Sequence, residues 1–110
     1  FDPLLRASAH ARILGLTSTV AAKPRAYWGA YGASKAAFEA LLLAYAEEVD
    51  AIGNIRVALV NPGATATAMR ARAYPGEDAA TIQQPEDAAK ALVQLLRDDF
   101  ETGARLRIAA

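Results

Sequence analysis

Tyr31 and Lys35 stand four residues apart at the head of a long run of helix formers, Tyr31-Gly32-Ala33-Ser34-Lys35, and Ser18 closes an apolar run upstream. On a helix, residues i and i+4 share a face with adjacent side chains. An ammonium beside a phenol favours the phenolate and lowers a tyrosine pKa from its usual value of about 10. A tyrosine tuned in this way gives or takes a proton near neutral pH, which is general acid–base chemistry. A lone Tyr-x-x-x-Lys also arises by chance. Its meaning depends on what other groups the fold delivers beside it.

The 110-residue length sets an upper bound of one small domain. With 54% apolar and 22% charged residues, the chain has globular rather than disordered composition. Formal net charge is zero and there is no basic run, which argues against nucleic acid or an anionic membrane as partner. Cysteine is absent, so the chain has neither a disulfide framework nor a thiolate metal site. A cytoplasmic setting is the default expectation. No secretory signal is read ahead of the first element, and no apolar run is long enough to span a bilayer. Phe1–Ser8 reads as a helix tail without a starting methionine, and Leu106-Arg107-Ile108 runs straight into Ala110. Both ends suggest a fragment of something larger.

Residues 11–18 form a short apolar run with β-tolerant side chains, the pattern of a strand buried on both faces. Residues 19–28, with Lys23-Pro24-Arg25 and aromatics, read as a loop. Gly29 to Ile52 lacks proline and is rich in alanine, predicting a helix that Gly53-Asn54 stops. Ile55–Val60 is a second strand, broken by Asn61-Pro62-Gly63. Residues 64–84 read as irregular, with a short helix around Ala66–Ala73. Pro85-Glu86-Asp87 opens another helix, running to about Asp98, with proline in the first turn and acids at the positive dipole end. Gly103 marks a turn into a last strand, Arg105–Ile108.

The order β-α-β-α-β predicts parallel strands joined by helical crossovers, an α/β fold with a Rossmann-like parallel sheet in three layers. Its first strand is expected to be an exposed apolar edge, open to further strands. In such sheets, ligands bind beyond the carboxyl ends of the strands. Ser18, Asn61-Pro62-Gly63, and Tyr31 with Lys35 all fall at that rim. Three separated segments therefore deliver polar groups to one place.

On these residues the chain resembles the short-chain dehydrogenase/reductase family, over nearly its whole length but only over the family's C-terminal half. Thr17-Ser18-Thr19-Val20-Ala21 resembles the serine-bearing strand end. Tyr31-Gly32-Ala33-Ser34-Lys35-Ala36-Ala37 matches the Tyr-x-x-x-Lys helix. Asn61-Pro62-Gly63, with Thr67 and Met69 following, matches the Pro-Gly-x-x-x-Thr-x-Met segment. Pro85–Ala89 and Thr102-Gly103 fit its later helix and last turn. The resemblance implies an oxidoreductase that uses NAD or NADP, not distinguishable here, on a small alcohol or carbonyl substrate. It implies Tyr31 as general acid/base, Ser18 on the substrate oxygen, and Lys35 tuning Tyr31 and holding the nicotinamide ribose. Pro62 and Gly63 are implied to pack near the nicotinamide, with Thr65 (through its backbone) and Thr67 fixing the carboxamide. The family's glycine-rich pyrophosphate turn and its Asn-Asn-Ala-Gly strand do not occur in the sequence, and Ala22 stands where a glycine often follows the serine motif.

Other polar and aromatic residues carry plainer expectations. His10 is read as structural or exposed, Tyr45 as helix packing, and Trp28 and Tyr74 as touching substrate or covering loops. Glu77-Asp78 and Glu86-Asp87 are read as solvated faces and helix starts, and no cluster suggests a metal. Ala40–Ala46 is apolar around its whole circumference, a pattern that calls for cover on two sides. In the resembled family this helix forms a dimer contact, which implies a homodimer or homotetramer through the Gly29–Ile52 helix. The alternative cover is an extra domain or segment of the same full-length chain, and the alternative to the oxidoreductase function is a non-catalytic fragment or family-derived α/β module acting through helix–helix association. Acyl transfer by Ser18 lacks a histidine base in range.

Overall fold

In the computed structural model, which describes residues 1–108, three parallel strands form one sheet. Strand β1 (Ala11–Leu16) pairs with β2 (Ile55–Asn61) from Ala11 against Ile55 to Leu16 against Val60. Strand β3 (Ala104–Arg107) lies on the other side of β2, pairing Ala58 with Ala104 through Asn61 with Arg107. The central strand has no polar alternation because both its faces are covered: Val57, Ala58, Leu59 and Val60 are all inaccessible to solvent.

Helix α1 (Asp2–Ala7) precedes the sheet, and α3 (Gly29–Val49) crosses between β1 and β2. On one face of the sheet, Ala46 and Val49 of α3 pack on Ala11, Ile55 and Val57, with Leu5, Ile13, Leu42 and Tyr45 around them. Successive strand side chains alternate faces, so Arg12 and Arg56 emerge on the opposite one. There they grip Asp99, the residue that ends helix α5 (Pro85–Asp98), at 2.7 and 2.9 Å. Helices thus flank the sheet on both sides, a three-layer Rossmann-like α/β arrangement. No helix among the described residues is long and apolar enough to cross a membrane.

Several boundaries differ from the sequence expectation, each for a local reason. The first strand ends at Leu16 rather than residue 18, although the Thr17 N–H still donates to the Val60 carbonyl at 2.9 Å. Ser18 then precedes a single-turn helix, α2 (Thr19–Ala22), inside the span predicted as a loop; four residues are too few for periodicity to reveal. The long helix tightens into a 3₁₀ turn over Asp50–Ile52 before Gly53 (φ 83°) ends it in the left-handed region. Helix α4 spans Ala68–Ala73 instead of starting at Ala66, because the Thr67 hydroxyl caps it by accepting from the Arg70 N–H. The last strand runs one residue earlier than predicted, Ala104–Arg107, since its partner β2 ends at Asn61. Ala109 and Ala110, into which the sequence runs on, lie outside the described residues.

Strand β1 is an edge, as expected, with Leu16 partly exposed. Only one side of the apolar α3 helix packs on the sheet, and Leu41, 73% exposed, stands on uncovered surface.

Candidate active site

A cleft of about 710 Å³ opens beyond the carboxyl ends of β1 and β2. Ser18, Tyr31, Lys35, Pro62, Gly63, Thr65 and Thr67 all line it. Sequence reasoning named these seven from three separate stretches, and the fold brings them into one cavity.

Ser18 sits ahead of α2 with extended backbone, a position where a serine hydroxyl ordinarily caps the helix. Here it makes no capping bond, and its hydroxyl has no hydrogen-bond partner among the described residues. The Tyr31 hydroxyl likewise has none. Tyr31 is held from behind: Gly32 is buried where any Cβ would lie only 3.0 Å from the Val20 carbonyl oxygen, so α2 and the first turn of α3 are in close contact. Glycine at position 32 lets Ser18 and Tyr31 come from adjacent, touching elements.

Lys35 sits one turn below Tyr31, its Nζ 5.9 Å from the Tyr31 ring centre and 5.6 Å from that of Phe38. Nζ also donates to the Leu16 carbonyl at 3.2 Å, tying α3 to the end of β1. A second tie runs alongside, where the Thr17 hydroxyl donates to the buried carboxylate of Glu39 at 2.8 Å and Arg105 of β3 pairs with the same carboxylate. Burial pushes the Glu39 carboxyl up, but the bonds from Arg105 and Thr17 outweigh it and hold its pKa below the ordinary value. Sequence reasoning passed over Glu39. Its only signal is an acid one turn beyond Lys35 on an otherwise apolar stretch.

The second rim segment is fixed by side-chain amides. Asn61 folds its carbonyl oxygen onto the Gly63 N–H at 3.0 Å and donates its amide to the Thr19 hydroxyl at 3.0 Å, joining β2 to α2. Gly63 takes φ 77°, a conformation that side chains disfavour. Gln83 donates to the Pro62 carbonyl at 2.7 Å and the Thr65 hydroxyl at 3.1 Å, and the Thr65 hydroxyl donates to the Gly63 carbonyl at 3.3 Å. Gln83 was not anticipated, because a contact across eighteen or more residues leaves no local pattern. The backbone N–H of Thr65 makes no bond to a described residue.

One wall of the cleft is aromatic. Trp28 meets Tyr31 edge-on at 5.7 Å and stacks on Tyr74 at 5.8 Å with 25° between planes. The Arg70 guanidinium lies over the Tyr74 ring at 3.8 Å from its centre and pairs with Glu77 through two bonds of 2.8 and 2.9 Å. Glu77 is thus part of an ion pair, not the solvated acid expected from its surroundings in sequence, and Arg70 holds its carboxyl below the ordinary range. His10 is exposed, against Arg12, and Tyr45 packs on the core while donating to Asp2. No cluster of three or more metal-ligating side chains occurs among the described residues.

The short chain dehydrogenase family profile matches residues 1–78. The uncharacterized oxidoreductase YciK of Escherichia coli K12 is 40% identical over 97 residues, covering 88% of this chain and 38% of that protein. A short chain dehydrogenase structure from Salmonella enterica serovar Typhi superposes with a TM-score of 0.87 at 34% identity, covering 96% of this chain and 44% of the other. A provisionally assigned short chain dehydrogenase from Escherichia coli CFT073, complexed with NADPH, superposes with a TM-score of 0.84 at 35% identity over 96% and 44%. The chain therefore spans about two-fifths of the length of the relatives it matches. With a Tyr-x-x-x-Lys helix, a serine strand end and a Pro-Gly turn around one cleft, this chain belongs to the short-chain dehydrogenase family of oxidoreductases.

Proposed function

We propose that this chain is the catalytic, C-terminal portion of a Rossmann-like dehydrogenase domain that interconverts an alcohol and a carbonyl with NAD or NADP. The observation that carries the reading is the pair of unpartnered hydroxyls, Ser18 and Tyr31, in one cleft beside Lys35. In the reducing direction Tyr31 gives its phenolic proton to the carbonyl oxygen. Ser18 donates a hydrogen bond to that oxygen as charge develops on it. Lys35 keeps a positive charge one turn from the reacting phenol, its Nζ 5.9 Å from the ring centre. In the oxidising direction the phenolate takes the alcohol proton, so Tyr31 ends protonated again.

When bound, the nicotinamide supplies or accepts the hydride at the reacting carbon. The rim fits such a group: Lys35 would hold the ribose hydroxyls, Pro62 and Gly63 would pack against the nicotinamide, and the Thr65 N–H, bonded to no described residue, would donate to its carboxamide. Thr67 accepts from Arg70 in its cap and keeps its own O–H to donate. The NADPH bound in the structure from strain CFT073 favours the phosphorylated dinucleotide. The pyrophosphate turn, missing from this sequence, is assigned to the remainder of the domain. The exposed apolar side of α3 supports association into a homodimer or homotetramer.

In the complete domain, Tyr31→Phe is expected to lower turnover by about 10²- to 10⁴-fold while dinucleotide affinity is largely kept. Steady-state kinetics with a cofactor titration checks this. Unchanged turnover points instead to a non-catalytic module working through its helix surface.

A further inference from the structure

The cleft is electropositive in a chain whose charges balance. Arg25, Lys35, Arg70 and Arg107 line it, and no aspartate or glutamate does, although the sequence carries 12 acidic and 12 basic residues. These cations are not equivalent. Arg70 is neutralised by Glu77 within the wall, and Lys35 is anchored on the Leu16 carbonyl. Arg25 forms no ion pair with any described residue; its one bond is a long donation of 3.4 Å from Nη1 to the Tyr74 hydroxyl. Its guanidinium lies 5.9 Å over the Trp28 ring, so the wall reads in order Arg25, Trp28, Tyr74, Arg70.

The backbone is bent to achieve this. The Trp28 N–H closes a tight turn onto the Arg25 carbonyl at 3.1 Å, and Tyr27 inside the turn takes φ 70° with its side chain fully exposed. Positive φ at that place favours glycine, and Tyr27 gains no packing in return. The turn folds Arg25 back over Trp28 at the cleft, and backbone held in this region clusters at functional sites. A guanidinium on an aromatic platform, with donors unspent, is suited to a planar anion. Trp28 also touches Tyr31, so one aromatic ring separates the proton-transfer residue from Arg25.

We propose that the substrate is a carbonyl or hydroxy acid whose planar apolar segment lies along the edges of the Trp28–Tyr74 stack and whose carboxylate pairs with Arg25. This rests on the dehydrogenase reading above, and names its substrate class. The reacting carbonyl lies at Tyr31 and the carboxylate at the far end of the planar segment. Arg25 is then a specificity-determining residue.

The complete domain is assayed for reduced-nicotinamide oxidation with 4-carboxybenzaldehyde and its neutral methyl ester. A charge-assisted hydrogen bond predicts a kcat/KM preference for the carboxylate of about tenfold to a hundredfold. Arg25→Gln should collapse that ratio through KM, and Arg25→Lys should retain much of it. Equal use of acid and ester by the wild type overturns the proposal while leaving the dehydrogenase reading standing. A ratio that survives Arg25→Gln, with dinucleotide affinity lost instead, also overturns it and assigns Arg25 to the cofactor phosphates. Binding gives a readout apart from turnover, because Trp28 is the one tryptophan of this sequence. The fluorescence that Trp28→Phe removes should be quenched by 4-carboxybenzaldehyde in an Arg25-dependent way. Such quenching without any turnover shows an anion site whose ligand is not the substrate and overturns the proposal, leaving the dehydrogenase reading to the Tyr31→Phe test; quenching indifferent to Arg25→Gln overturns it as well.

Discussion

Ser18 and Thr67 each stand immediately ahead of a short helix, and their hydroxyls have opposite fates. Thr67 caps α4, whereas Ser18 leaves α2 uncapped and keeps its hydroxyl in the cleft. The two alanine variants should therefore separate stability from chemistry. Thr67→Ala is expected to cost about 1 kcal/mol of folding stability, read by urea denaturation. Ser18→Ala should shift stability by no more than about 0.5 kcal/mol yet lower turnover by about 10²- to 10³-fold. A Ser18→Ala protein as unstable as Thr67→Ala counts against the role given to Ser18. Tyr31 and Lys35 were legible in the sequence because their pairing follows from helix spacing alone. Which hydroxyl caps and which stays free was not, since tertiary neighbours select the rotamer. Gln83 was hidden for the same reason, its partners lying eighteen or more residues away, and Arg25 because nothing in the sequence signals the left-handed Tyr27 that folds it over Trp28.

At the scale of elements, the two ends of the sheet are held differently. Near the cleft, β1 and α3 are joined through Leu16–Lys35 and Thr17–Glu39, with Arg105 reaching across from β3. At the far end, Arg12 and Arg56 clamp Asp99, a non-glycine residue at φ 67° that ends α5. The Arg12 guanidinium, and after it the Phe100 N–H, hold the Asp99 carboxyl at about 2, below the usual 3.8. A carboxylate with a depressed folded-state pKa stabilises the fold above its unfolded value, and that contribution fades as pH falls through the folded one. Thermal melts should therefore lose stability between about pH 4 and pH 2, and Asp99→Asn should flatten that part of the profile. Identical acid profiles for both proteins would contradict the clamp. Strand and helix order was readable from hydrophobic runs and Pro-Gly punctuation, and α2 escaped because one turn has no period. The clamp escaped because alternation along a strand tells which face Arg12 takes, but not what waits there.

Taken whole, the molecule is a slab of 47 × 28 × 20 Å with a radius of gyration of 15.4 Å, against about 13 Å for a compact domain of this length. Large apolar side chains stay uncovered at the β1 edge and on α3, including Leu16, Phe38 and Leu41. Large exposed apolar surface is ordinarily covered by more protein. Produced by itself, the 110-residue chain is expected to bind a hydrophobic dye and self-associate. Sedimentation of a monomer with no dye binding would show that it needs no cover. The apolar circumference of α3 was visible in sequence, and the identity of what covers it was not, because apolar surface is non-directional.

The bond from Lys35 to the Leu16 carbonyl has a mechanical consequence. It ties the last residue of β1, two positions before Ser18, to the second turn of α3, one turn beyond Tyr31. The segments that carry Ser18 and Tyr31 are thereby joined through one side chain. Arginine at position 35 keeps the charge, but its longer planar fork sets a different gauge. Lysine is held there by distance as much as by sign.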